Sequence, residues 1–244
     1  INERGVCVDV ELAKAAQTQY ARYVGNADLR VAKMTNGVVN STTEREKLLT
    51  YLNGYGCDLS NLQATTIEDA LLGDLDDNVR EVLLLRQIGA KTGGAKFDRF
   101  VELSDIDGRA HDLHMYHGAH TGRWGGRMLQ PHNMPRPTEA DTDMVAEIVR
   151  NDEIDMYYAS PMSALNSIVR SCIVAARDKT LLVGDYAQIE ARIVPWLAGQ
   201  TNVLDAFRRG EDIYSVAAAG IFRVPLAWVT KAQRAVGKVA ILAL

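Results

Sequence analysis

Leu181–Arg192 reads LLVGDYAQIEAR, and the fold of the whole chain turns on how this stretch is read. Leu181, Leu182 and Val183 form a short apolar run that leads through Gly184 to Asp185. Such a run suits a buried strand, so a strand is expected over 180–185, carrying the Asp185 carboxylate to the edge of a sheet. Gln188, Glu190 and Arg192 then open a helical pattern, expected over 188–198. A carboxylate at a strand end, followed by a turn and a helix, is a common way to hold a divalent metal. For a lone aspartate the competing role is to cap the next helix.

Downstream, Gln233–Lys238 reads QRAVGK, with Arg234 and Lys238 four apart. At that spacing both lie on one helical face and can grip a triphosphate as planar fork plus point charge. Taken alone, an R-x-x-x-K pair is more simply a solvated basic face. Upstream, His120–Arg136 reads HTGRWGGRMLQPHNMPR, and no acidic residue occurs from Leu113 to Thr138, whereas Arg123, Arg127 and Arg136 do. A glycine-rich, basic, acid-free turn lets the backbone approach a phosphodiester chain closely. The competing reading is a solvated loop.

The rest of the chain divides in style near Ile106. Residues 8–103 read as mostly helical. Asp9 is a candidate N-cap for a first helix with Val8, Leu12 and Ala15 on one face. Ser41-Thr42-Thr43 precedes a second, with Glu44 and Glu46 in its first turn, Leu48, Leu49 and Leu52 on its apolar face and Gly54 as its stop. Val79, Val82, Leu83 and Arg86 mark a third, and residues 93–103 a fourth. Gly89 and Gly93-Gly94 punctuate them. Asp107-Gly108 is a turn, 109–120 suits extended structure, and the three prolines within 131–137 require an irregular loop. Helices are expected over 141–150, 161–176, 201–209, 212–221 and 230–244.

Composition narrows the function classes. The 244 residues are 47% hydrophobic, ample for a core, and the net charge of −4 does not advertise a nucleic-acid binder, although a groove needs only local basic density. No run of about 18 apolar residues is present, so no membrane span or membrane partner is expected. Cys7, Cys57 and Cys172 are isolated and no CxxC pair occurs, which excludes a zinc ribbon and a disulfide framework and suggests a reducing, cytoplasmic setting. The chain opens at Ile1 and stops at Leu244 inside a helical pattern, so it is read as a piece of a longer polypeptide. His111, His114, His117 and His120 repeat every third residue, but that spacing on a strand throws alternate side chains to opposite faces, so a histidine-metal hydrolase is disfavoured. Gly89–Lys96, GAKTGGAK, has its lysine misplaced for a phosphate loop and is read as a helix junction.

Together, the Thr121-Gly122-Arg123 triplet with Gln130 and Asn133, the D-Y-x-Q-I-E-x-R string at Asp185–Arg192, and QRAVGK resemble, in order and spacing, the conserved segments of the family A DNA polymerases, the bacterial polymerase-I-like enzymes. INERGVCVD at the start resembles the opening of their thumb, so the likeness covers nearly the whole chain. Single-subunit RNA polymerases lack the D-Y-x-Q-I-E string. The resemblance implies an α+β, α-rich chain: a helical thumb over 1–105, part of a palm with an antiparallel sheet over 106–198, and the start of helical fingers over 199–244. It implies template-directed addition of dNTPs to a primer 3′-hydroxyl, with two Mg2+ ions held by Asp185, the Tyr186 carbonyl and a second aspartate expected beyond residue 244. Residues 1–244 alone are therefore expected not to extend a primer. Arg234 and Lys238 would bind the triphosphate, Glu190 would exclude ribonucleotides by packing against C2′, and Gln188 and Arg192 would support that site. Thr121, Arg123, Arg127, Gln130 and Asn133 would contact primer-template DNA. Leu242 departs from the aromatic residue usual at its position, a variant associated with phage-type members, for which the setting would be the host cytoplasm. Replisome or processivity partners are not identified by the sequence. The competing function is a catalytically inactive nucleic-acid-binding module that kept the fold.

Overall fold

The structure, a computed structural model, describes residues 2–90 and 93–242, with the Leu242 side chain outside that description. The described helices are α1 (Val10–Met34), α2 (Arg45–Gly54), α3 (Ala64–Leu71), α4 (Asp77–Gly89), α5 (Gly93–Leu103), α6 (Thr142–Arg150), α7 (Ile154–Tyr157), α8 (Pro161–Ser167), α9 (Ile189–Leu197), α10 (Thr201–Arg208), α11 (Ile213–Phe222) and α12 (Lys231–Leu242). Among the described residues, four two-residue strands, β1 (Val6–Cys7), β2 (Arg109–Ala110), β3 (His114–Met115) and β4 (Gly125–Gly126), pair antiparallel as β1–β2 and β3–β4. The chain divides into two compact units, Ile1–Leu181 and Leu182–Leu244. None of the described helices is long and apolar enough to cross a membrane.

In the first unit, α1 is the spine. Asp9 caps it, accepting a hydrogen bond from the Leu12 N–H at 2.9 Å. Its 25 residues span about 37 Å at the α-helical rise. Leu12, Ala13 and Ala16 enter one apolar cluster with Phe97 and Phe100 of α5, Val145 and Val149 of α6, and Leu165 of α8. Ala27 and Val31, farther along α1, enter a second with Leu48 and Leu52 of α2, Ile67 of α3 and Val79, Val82 and Leu83 of α4. The alanines allow close approach. Gly94 shows how close: a Cβ there would meet the Tyr20 ring at 2.2 Å. Gly93 and Gly94 are thus buried first-turn residues of α5, Gly94 admitting α1 and Gly93 lying against Asn166 of α8, rather than punctuation between helices. Lys91 and Thr92 of the expected helix junction lie outside the described residues.

Several sequence expectations need correction. Glu44 is the N-cap residue of α2 rather than part of its first turn, and Gly54 is still helical. Helix α3 was not expected; its start is set by Asn61, whose side chain accepts from Gln63 N and Thr66 Oγ1. The helix expected over 161–176 stops at Ser167, followed by a 3-10 turn at Arg170–Cys172 and a bridge from Val8 to Ile173. Two causes act there. The Ser167 hydroxyl accepts from the Thr138 and Glu139 backbone N–H groups, and Cys172 O accepts from Asp9 N, so the segment is tied to its neighbours. The β-branched pairs Ile168-Val169 and Ile173-Val174 also favour helix weakly. The largest correction concerns the strand expected over 180–185. Residues 181–186 carry no regular structure, and Leu182 and Val183 are 93% and 96% exposed. A strand exists only when its N–H and C=O groups find a neighbouring edge, and no described strand pairs with this segment.

In the second unit, α9–α12 form a small cluster around Ala191, Ala206, Ile213 and Tyr214, with Phe207 and Ile241 against it. Thr230 and Gln233 start α12 with a capping box: the Gln233 side chain accepts from Thr230 N at 2.9 Å, and the Thr230 hydroxyl accepts from Gln233 N at 3.2 Å. Gly237 sets the approach of α12 to α11, since a Cβ there would lie 2.2 Å from Tyr214 O.

Candidate nucleotide and nucleic-acid sites

In the first unit, the acid-free segment folds as a hairpin. His114 pairs with Gly126 and Met115 with Gly125, and the loop between them carries Thr121-Gly122-Arg123 at its exposed end. The loop closes on itself through Ala119 N to Arg123 O at 3.2 Å and Gly122 N to Ala119 O at 2.9 Å. Its two sides meet at glycines, because a Cβ on Gly118 would lie 2.8 Å from the Gly125 backbone. Tyr116 and Trp124 meet edge-on with ring centroids 5.2 Å apart. Leu113, Leu129 and Met134 anchor the segment in the core.

Two further cations hold this loop from behind. Lys96 donates to Leu129 O at 2.7 Å, and burial lowers its pKa. Arg170 donates through Nε to Pro135 O at 2.9 Å and through Nη2 to Met134 O at 3.1 Å. Sequence reading missed both, since their acceptors are backbone carbonyls distant in the chain. Arg123, Arg127 and Asn133 are exposed, while Gln130 is half-buried in the left-handed region at φ 49°. The loop thus presents Thr121, Arg123, Arg127 and Asn133 on a scaffold fixed from within. His111 hydrogen-bonds Asn2 O at 3.3 Å and lies 3.6 Å from Asp107. No group of three or more His, Cys, Asp or Glu side chains among the described residues is arranged to hold a metal.

In the second unit, Asp185 and Tyr186 are exposed and line an open recess of about 330 Å³ with Gly184. Gln188 was expected to open the helix but sits one residue before α9, in the left-handed region at φ 56°. That conformation turns the chain into α9. Arg192 reaches back to Ala187 O at 2.9 Å and lies over the Phe207 ring at 4.1 Å, so it braces the turn that follows Asp185. Glu190 of α9 and Ile241 of α12 line one cavity of about 290 Å³ whose walls are mostly apolar, which brings the start of α9 and the end of α12 to one space. Leu242 follows Ile241, but its side chain lies outside the described residues.

Arg234 and Lys238 differ in their surroundings. Lys238 is exposed and has no ion pair among the described residues. Arg234 is paired with Asp212, donating through Nε to Oδ2 at 2.6 Å and through Nη2 to Oδ1 at 3.2 Å. Its guanidinium carbon lies 5.3 Å from the Tyr214 ring centroid. The Arg234 guanidinium holds the Asp212 carboxyl below the usual carboxylate range, against the opposing effect of burial and with the Ser215 hydroxyl adding to it. Asp212 was not singled out from sequence: an aspartate just ahead of a helix reads as a cap, and its partner lies on the next long helix.

Comparison with known proteins gives the family. The model for DNA polymerase family A matches residues 60–244. The DNA polymerase of Bacillus phage SP02 is 34% identical over 251 residues, covering 100% of this chain and 38% of that protein. DNA polymerase I of Pseudomonas aeruginosa is 44% identical over 66 residues, covering 27% of this chain and 7% of the relative, and that of Chloroflexus aurantiacus is 24% identical over 247 residues, covering 96% and 23%. The chain therefore spans well under half the length of these relatives. Among solved structures, the POL domain of Pol1 from M. smegmatis, in complex with DNA primer-template and dNTP, superposes with a TM-score of 0.70 at 19% identity, covering 98% of this chain and 39% of that one, a likeness of fold. With the family model matching most of its length, the chain belongs to the family A DNA polymerases.

Proposed function

We propose that this chain is part of a DNA-directed DNA polymerase that adds dNTPs to a primer 3′-hydroxyl on a DNA template, releasing pyrophosphate. The observation that carries the reading is the placement in one helical unit of an exposed Asp185, of Glu190 on the cavity wall and of the Arg234/Lys238 face. The mapping onto the right hand is thumb over 1–105, palm over 106–198 and fingers over 199–244.

Family A DNA polymerases generally use divalent metal ions. Asp185 fits such an ion: it is an exposed hard-oxygen ligand beside a glycine, with no ion pair among the described residues. Magnesium keeps several waters and needs only one or two carboxylates, so Asp185 and the Tyr186 carbonyl supply part of a two-ion site, and further ligands come from elsewhere in the protein. When bound, the ions lower the pKa of the attacking hydroxyl and neutralise charge on the transferring phosphoryl group.

The chain's own residues do the rest. Arg234 and Lys238 bind the triphosphate, the first as a fork and the second as a point charge. Glu190 excludes the ribose 2′-hydroxyl by occupying its space. Gln188 and Arg192 hold the turn between Asp185 and α9, which carries Glu190. Thr121, Arg123, Arg127, Gln130 and Asn133 contact primer-template DNA: the arginines neutralise phosphates, and donors in the minor groove meet acceptors present in every base pair, checking pair shape without reading sequence.

The test is primer extension by the full-length protein with Mg2+ and dNTPs. Template-directed extension is expected. Binding of primer-template without extension would instead identify an inactive binding module. In an active enzyme, Glu190→Ala is expected to raise ribonucleotide incorporation relative to dNTPs by about a hundredfold, read from single-nucleotide kcat/KM ratios. An unchanged ratio would remove Glu190 from the role of sugar gate.

A further inference from the structure

We propose that Asp212 is the positioning residue of Arg234, fixing the guanidinium by one edge so that its other edge is presented to the triphosphate. The inference rests on the reading that Arg234 binds an incoming nucleotide. A guanidinium carries five N–H donors in a rigid plane. Asp212 takes the Nε–H and one hydrogen of Nη2. The second Nη2 hydrogen and both on Nη1 have no hydrogen-bond partner among the described residues, and they form another edge of the same plane, open to an anion.

Asp212 is itself fixed. It directly precedes α11, and the Ser215 hydroxyl donates to its Oδ2 at 2.6 Å. The Tyr214 ring at 5.3 Å limits how the guanidinium moves. The register between α11 and α12 is held by the approach at Gly237, one residue from Lys238. Lys238 needs no such device, because an ammonium is a point charge without a preferred face, whereas a planar fork must be oriented to bind phosphate with two hydrogen bonds. A long side chain left without this anchor would lose rotamer entropy each time nucleotide bound. Asp212 moves that loss to folding.

The test is steady-state dNTP kinetics on the full-length enzyme and its R234A, D212A, D212N and R234A/D212A variants, with melting temperatures in parallel. D212A is expected to raise the dNTP KM about tenfold with kcat within about threefold of wild type, and the double variant to be no worse than R234A alone. D212N keeps an acceptor for Nε–H but loses the charge, and is expected to fall between. Should D212A not fold, D212N carries the same test, its smaller KM rise vanishing in the R234A background. Full additivity with R234A would overturn the proposal, and so would a KM left unchanged or lowered by removal of Asp212, the last meaning that it competes with nucleotide. If wild type is active and R234A leaves KM unchanged, the assignment of Arg234 fails first and the role of Asp212 falls with it.

Discussion

Asp185→Ala in the full-length polymerase is expected to reduce primer extension by about a thousandfold or more, with primer-template affinity within about threefold of wild type. The size follows from the role proposed for Asp185: losing a metal ligand would remove charge stabilisation at the moment it is needed. The retained binding follows from the structure. Asp185 is exposed and makes no ion pair among the described residues, so its removal leaves no buried group without a partner. Single-turnover extension and fluorescence anisotropy with labelled duplex separate the two quantities. Residual extension above about a tenth of wild type would exclude Asp185 from the metal site.

Phe97→Ala is expected to have the largest effect on folding. Phe97 is fully buried in the first apolar cluster and meets Tyr20 of α1 edge-on, with ring centroids 6.5 Å apart. Truncating a buried phenylalanine costs about 3–5 kcal/mol. In a chain of this size that lowers Tm by about 6–20 °C. The neighbourhood cannot relax easily, because Gly94 already brings the α5 backbone against the Tyr20 ring. Differential scanning calorimetry measures the shift, and a change under about 2 °C would show that the site collapses around the gap.

Helices whose burial is periodic were legible in the sequence. Leu48 and Leu52, or Val79, Val82 and Leu83, name their own faces, and Asp9 names its own cap. Asp185, Glu190, Arg234 and Lys238 were singled out by their order and spacing, and the structure sets them in one compact unit. What local pattern does not carry is the partner. Leu181–Val183 has the composition of a strand, but pairing is a property of two segments, and the described chain supplies one. Gly94 and Gly237 look like helix breakers, yet their role is set by the ring and the backbone that lie against them. Asp212 looks like a cap, and only the fold sets it opposite Arg234.

Helix α1 belongs to both apolar clusters of the first unit, and Ile88 of α4 touches both. Neither cluster can melt without stripping part of the same rod of its neighbours. Opening therefore propagates along α1, and the two halves behave as one cooperative foldon rather than as two. A ligand that clamps the basic hairpin at one end would slow amide exchange in α2–α4 at the other.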